Sequence, residues 1–326
     1  MRTTDKSGDA HIGGQRGRRF AVGIVATLVG ATLWGFSGAC TQYLFAHAEV
    51  SSTFITAVRM LGAGALFVIL LAVRQRDTLR AMLHDRATLA RLAVFGIAGL
   101  FLCQLTYIMV IGFTNAGTAT VLQSLNIVFV LVATCLICRR GPRAMEIGGM
   151  ACALVATLLI ATKGDLGTLN LPLPGLIWGI INAGTVAFYV MYPKRLFERW
   201  GSLPVTGLGM FVGGLAAVLV WVVLGALGIN VDGAQDMPMV PALTPDCALA
   251  LALIVVVGTF GAFGLYLHGV SIVGGVKGSL LGAVEPVSAT MFSALWLGTA
   301  FFWADWVGLV LMIATIFLVT LKGKPE

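Results

Sequence analysis

Charge is scarce in this chain: only 11% of its 326 residues are Asp, Glu, Lys or Arg. A soluble domain carries about 25%, so these residues cannot cover a water-facing surface. A mean hydropathy of +0.95, with 58% apolar residues, excludes a soluble enzyme and a disordered chain together. Cysteine is also sparse, at six. Five of these (Cys40, Cys103, Cys135, Cys138 and Cys152) fall in apolar runs, where a thiol behaves as a small hydrophobe. A disulfide-stapled secreted domain is therefore excluded. Cys135 and Cys138 form a C-x-x-C, but with no second pair or histidine beside them they define no metal or redox site. H-E-x-x-H, G-x-S-x-G and P-loop motifs are absent, which removes the common catalytic constellations and a nucleotide-hydrolysing engine. No cofactor is expected, and any work must draw on a solute or ion gradient.

What the chain has instead is apolar runs. Ten fall near 20–45, 51–73, 92–112, 116–138, 147–162, 175–192, 203–228, 247–270, 276–297 and 302–321. A bilayer span needs ~20 apolar residues, so the composition predicts an all-α polytopic membrane protein of ten transmembrane helices. The first run is too long for a signal-peptide core and lacks a convincing cleavage site; it reads as an uncleaved anchor. Of the 21 Lys and Arg, 18 lie in the two tails and in alternate loops (74–91, 139–143 and 194–199). Basic residues are retained on the cytoplasmic side during insertion, which predicts that both termini are cytoplasmic. The net charge of +7 is thus a topology signal and an attraction to anionic lipid; no nucleic acid is called for.

Shifting the first half by 159 positions aligns about 70 of its residues without gaps on the second. Gly99 then meets Gly258, Phe101 meets Phe260, Tyr107 meets Tyr266, Glu146 meets Asp305 and Gly149 meets Gly308. Trp34-Gly35 matches Trp178-Gly179 more loosely. Five spans per half is an odd number, so the halves must enter the membrane from opposite sides. Inverted repeats of this kind are a transporter architecture, with the solute site near the midplane between the halves. The predicted organisation is a cytoplasmic tail 1–19, repeat one at 20–162, an outer linker 163–174, repeat two at 175–321 and a tail 322–326.

Several segments carry a family resemblance: Leu33-Trp34-Gly35, Arg59, Gly282-Ala283-Val284-Glu285-Pro286-Val287 and Trp306-Val307-Gly308. With them, the two halves resemble paired EamA domains of the drug/metabolite transporter superfamily, over about 22–161 and 174–321. Span four departs from the family pattern, having Asn126-Ile127 where a proline is common. The resemblance implies a secondary transporter of a small organic metabolite or drug-like solute in a bacterial inner membrane, by efflux or exchange. It leaves open the solute, a coupled proton or counter-substrate, and a homodimer. Uptake, an intramembrane enzyme and a membrane receptor or scaffold are the rival readings.

Charges inside spans are the most informative residues, because inserting one costs roughly 2.5–3.5 kcal/mol. Arg59 and Glu285 each sit about 12–14 Å from a span end at ~1.5 Å per residue, close to mid-membrane. They form either a solute or proton site, or an Arg–Glu structural pair. Lys277, near the start of span nine, is a solute contact or a snorkelling interface residue. Pro286 removes the amide that would bond the Gly282 carbonyl, so Gly282 and Pro286 are the candidate hinge. Gln123 and Asn126 share an arc of span four with Thr120. Gln104, Trp34, Trp178, Tyr189 and His268 complete the candidate solute or coupling set. Each has an ordinary alternative as packing, interface anchor or interhelical glue.

The charge bias yields a direct test. A single cysteine at Asp236, in a cysteine-free background, should react with a membrane-impermeant maleimide in intact cells. Reaction only after the membrane is opened would invert the topology.

Overall fold

A computed structural model describes residues 6–165, 171–229, 231–232 and 238–320. Arg2, Asp236, Lys322, Lys324 and residues 166–170 of the linker lie outside these. Among the described residues every regular element is helical. The first half runs α1 (Lys6–His47), α2 (Ser52–Arg74), α3 (Arg76–His84), α4 (Arg86–Val94), α5 (Leu102–Phe113), α6 (Ala116–Gln123), α7 (Asn126–Ile137) and α8 (Ala144–Thr162). The second runs α9 (Leu173–Met191), α10 (Lys194–Trp200), α11 (Ser202–Ala226), α12 (Pro245–Val255), α13 (Ala262–Val273), α14 (Gly275–Gly282), α15 (Val284–Leu295) and α16 (Trp303–Thr320). Among the described residues seven helical rods are long and apolar enough to cross a bilayer, and Ala144–Ile160, Leu280–Leu295 and Trp303–Leu318 are shorter apolar helices.

Helix starts follow from side chains that supply an oxygen to an otherwise unpaired first-turn amide. Ser51 Oγ accepts from Phe54 N at 3.1 Å, Asn115 Oδ1 from Thr118 N at 2.8 Å and Thr244 Oγ1 from Cys247 N at 3.3 Å. Asp85 caps α4 through Ala87 N and Thr88 N. The Thr88 hydrogen bonds hold its carboxyl below the ordinary carboxylate range, with Arg199 adding to the effect.

The packing repeats between halves. The α2–α11 and α8–α16 pairs each join one helix from each half. Across the bundle α1 packs on α13 and α15, as α9 packs on α5, α6 and α7. With no hydrophobic drive between helices in lipid, close contact depends on small residues that let backbones approach. A Cβ on Gly64 would lie 2.6 Å from Phe211 N, and one on Gly214 would lie 2.6 Å from Leu61 N. These two glycines set the α2–α11 contact.

Two departures from regular helix recur at the same repeat position. Residues 95–101 and 256–261 are π-helical, and a shift of 159 overlays them to within two residues. The α6–α7 break at Ser124-Leu125 likewise overlays the α14–α15 break at Ala283. Proline is therefore not the common cause of the break. In the second half Pro286 has no amide to give the Gly282 carbonyl. In the first half the matching carbonyl is that of Gln123, and the Asn126 side-chain amide caps it at 2.8 Å. Asn126 thus does with a side chain what keeps the broken backbone satisfied at membrane depth.

The two ends are tied differently. At the end carrying the basic loops, Arg199 Nη1 lies 2.9 Å from Asp85 Oδ2, and Trp200 Nε1 donates to Thr88 Oγ1 at 3.1 Å. At the opposite end Lys163 Nζ meets both Asp305 oxygens at 2.6 and 2.8 Å. Gln42 there accepts from Ala116 N and Ser293 Oγ and donates to Thr299 Oγ1.

Gly214→Val should lower the melting temperature of detergent-solubilised protein by several degrees, because overpacking of this kind costs about 1–3 kcal/mol. Gly148→Ala, where nothing lies within 4 Å of the added Cβ, should leave it unchanged. Equal behaviour of the two variants would refute the close-approach account.

Candidate functional site

Arg59 is the centre from which the site is built. It stands on α2, is 3% exposed, and gives its Nε–H to Thr259 Oγ1 at 2.8 Å. Thr259 is buried in the second π-helical segment. Its hydroxyl donates in turn to Ile254 O at 2.7 Å, five residues back. That spacing belongs to the π register, so the irregular turn orients the oxygen that receives the guanidinium. One terminal nitrogen of Arg59, Nη1, has no hydrogen-bond partner. In the first half Leu100 takes the place of Thr259, and the π-helical segment there packs backbone on backbone against α11: a Cβ on Gly96 would lie 2.5 Å from Gly209 O.

Glu285 stands in the first turn of α15, just beyond the helix break. It is half-buried. Gln123 Nε2 donates to Glu285 Oε1 at 3.3 Å, joining the broken spans of the two halves. The ion pairs among the described residues are Arg140–Glu146, Lys163–Asp305 and Arg199–Asp85. Arg59 and Glu285 lie within electrostatic reach of one another but make no N···O contact within 4.0 Å. They are not a direct ion pair.

Aromatic groups wall this region. Tyr107, Tyr189 and Tyr266 all lie within electrostatic reach of Glu285. The Tyr107 hydroxyl is buried without a partner, as are Trp34 Nε1 and Ser37 Oγ. Trp34 sits 4.5 Å from the Tyr266 ring and 4.8 Å, edge-on, from Phe263. Tyr189 stacks on Phe95 at 5.9 Å. Gly35 lets α1 lie directly on Ser288 and the Glu285 carbonyl. A Cβ on Gly282 would meet Tyr266 Oη at 3.1 Å.

Of the residues singled out from the sequence, Arg59, Glu285 and Gln123 come together here, with Trp34 and Tyr189 on the aromatic wall and Gly282 and Pro286 at the break. Asn126 serves the Gln123 backbone. Gln104 is buried on α5 beside Cys103. Trp178 packs against an apolar cluster that includes Tyr107 and Leu122. His268 and Lys277 are exposed on α13 and α14; they are not in the central group. Two buried residues in it escaped the sequence reading: Thr259, and Asn182, which donates to Cys103 O at 2.9 Å and Thr106 Oγ1 at 3.0 Å. The repeat offered a signal for Thr259, which aligns with apolar Leu100. Asn182 is a lone amide in an apolar run.

Two all-helical halves, apolar outside and with a polar, charged interior, define a membrane transport protein. The chain belongs to the EamA-like transporter family, whose model matches residues 21–162 and 173–321. It is 33% identical over 302 residues to the inner membrane transporter YicL of Salmonella typhimurium strain LT2, itself described as uncharacterized, covering 93% of this chain and 96% of that one. A crystal structure described only as that of a protein shares the fold, with a TM-score of 0.59 at 17% identity, over 94% of this chain and 97% of the other.

The Arg59–Thr259 bond is open to test in the absence of any solute. Thr259→Val should cost about 1.5–3 kcal/mol of stability, the range for a hydrogen bond to a charged group, and Thr259→Ser should restore most of it. Equal melting of Thr259→Val and wild type would show that Arg59 finds its support elsewhere.

Proposed function

We propose that this protein is a secondary carrier that moves a small organic solute across the bacterial cytoplasmic membrane by alternating access, working by efflux or exchange. Ten spans in two inverted halves, with the basic end and both termini cytoplasmic, are the architecture of this reading. The observation that carries it is a pair of opposite charges in the bundle interior that do not pair with one another. Arg59 has a free donor, Glu285 is half-buried and among the described residues its carboxylate accepts only from Gln123, and neither satisfies the other. Buried charges in a membrane protein are expensive and mark solute or ion pathways. A solute that accepts hydrogen bonds beside Arg59 and donates beside Glu285 would complete both. Trp34, Tyr189 and Tyr266 offer flat walls for its apolar part.

The breaks in spans four and nine supply the moving parts. A helix interrupted at Ala283 and another at Ser124-Leu125 can each swing about the break, and Gln123–Glu285 links the two. The relative's description as an inner membrane transporter supports the location. The absence of nucleotide-binding motifs directs attention to a gradient as the source of energy.

The test is a solute-panel flux screen on purified protein in liposomes, repeated with Glu285→Gln and Arg59→Gln. Flux without product formation is expected; product formation would make the protein an enzyme. Each variant should insert, fold and lose at least tenfold in flux. Exchange retained with loss of pH dependence in Glu285→Gln would assign proton coupling to that carboxyl. Normal transport by Glu285→Gln across the pH range would remove Glu285 from the mechanism. Loss of folded protein in Glu285→Gln, repaired by adding Arg59→Gln, would make Glu285 a structural counter-charge.

A further inference from the structure

Away from the central site, a groove of about 340 Å³ opens between α1 and α13, lined by Arg18, Arg19, Val22, His268 and Ile272. Arg18, Arg19 and His268 are exposed, and among the described residues no acidic side chain lines the groove. Lys277 adds a further cation on the neighbouring flank, 4.5 Å over the Phe20 ring. One turn deeper the groove closes abruptly. A Cβ on Gly23 would lie 2.8 Å from Ile272, and one on Gly269 would lie 2.6 Å from both Gly23 O and Thr27 N. The recess is therefore a shallow, cationic cup with an apolar floor.

Above the cup, α1 and α13 carry exposed apolar side chains. On α1, Val22, Val25 and Val29 are 50%, 59% and 42% exposed, and their spacing places them along one face. On α13, Leu265 is 38% exposed and lies one turn above His268, itself one turn above Ile272. Two arginines and a histidine beneath exposed apolar side chains match a molecule with an anionic head and a hydrocarbon tail. Arginine suits a phosphate group because its planar fork donates two parallel hydrogen bonds. Basic recesses between helices at the cytoplasmic level are where phospholipid head groups are held.

We infer that the α1–α13 groove is a binding site for an anionic phospholipid, with the phosphate in the Arg18–Arg19–His268 cup and an acyl chain along Val22, Val25 and Val29. It relies on the cytoplasmic placement of the basic end only to name the leaflet, and uses no residue of the central cluster. Because α1 also carries Trp34 and α13 carries Tyr266, the lipid fastens two helices that wall the solute site.

The full chain in nanodiscs of phosphatidylglycerol should melt several degrees above the same chain in phosphatidylcholine of matched acyl chains. Arg18→Gln/Arg19→Gln should lose at least half of that difference while melting like wild type in phosphatidylcholine. Arg76→Gln/Arg80→Gln, which removes two charges from a basic loop elsewhere, should keep the difference. Native mass spectrometry from an equimolar mixture of the two lipids should show phosphatidylglycerol retained on wild type and depleted on the Arg18/Arg19 variant. Equal depletion by both double variants would reduce the effect to general charge attraction and overturn the site. A full shift from glycerol 3-phosphate or inorganic phosphate added to detergent-solubilised protein would make it a site for a soluble phosphate and overturn the lipid assignment. Equal melting of wild type in the two lipids would overturn it outright.

Discussion

A guanidinium in the middle of an apolar bundle can persist only if its donors are answered, because an unpaired buried charge is far more costly than an unpaired neutral group. Arg59 is answered on one side by Thr259, and much of the local structure serves that bond. The π-helical turn orients the threonine oxygen through its own bond to Ile254. The nearby Gly258 lets that turn lie against Ser37 on α1. The opposite side of the guanidinium keeps Nη1 without a partner. An arginine half answered by protein is poised for a second partner, and this asymmetry sets the functional reading.

The two halves show how one scaffold can carry two chemistries. Both interrupt the corresponding span at the same repeat position, and both contain a π-helical segment at the corresponding place. Their polar decoration differs. Where the second half has Glu285 followed by Pro286, the first has Asn126, whose amide closes on the Gln123 carbonyl. Where the second π-helical segment receives the Arg59 guanidinium of α2 on Thr259, the first meets α11 backbone to backbone through Gly96 and Gly209. Symmetry is kept by the elements that must pack, and broken at the residues that face the interior. An asymmetric solute needs that difference.

The ends differ in the same spirit. Glu146 and Asp305 occupy matching positions, and each accepts a hydrogen bond from the amide three residues before it. Glu146 takes its cation from Arg140 in the same half, whereas Asp305 takes Lys163 from the other half. One ion pair therefore closes a local turn and the other staples α8 to α16. The difference comes from chain direction: α8 ends where α16 begins.

The sequence by itself determined the helical class, the family and the choice of Arg59, Glu285, Gln123 and Pro286 as interior residues of interest. These are legible because the cost of charge and broken backbone in an apolar run is a local property of the chain. It also carried the repeat, since packing constraints recur at a fixed offset. Only the tertiary structure decided which interior residues meet. It separated His268 and Lys277 from the centre, brought in Thr259 and Asn182, and showed that Arg59 and Glu285 face one region without an ion pair. Helical periodicity gives the face of a residue within its own helix. Which neighbour that face meets depends on how closely small residues let the helices approach, and on two irregular turns that no residue pattern announces.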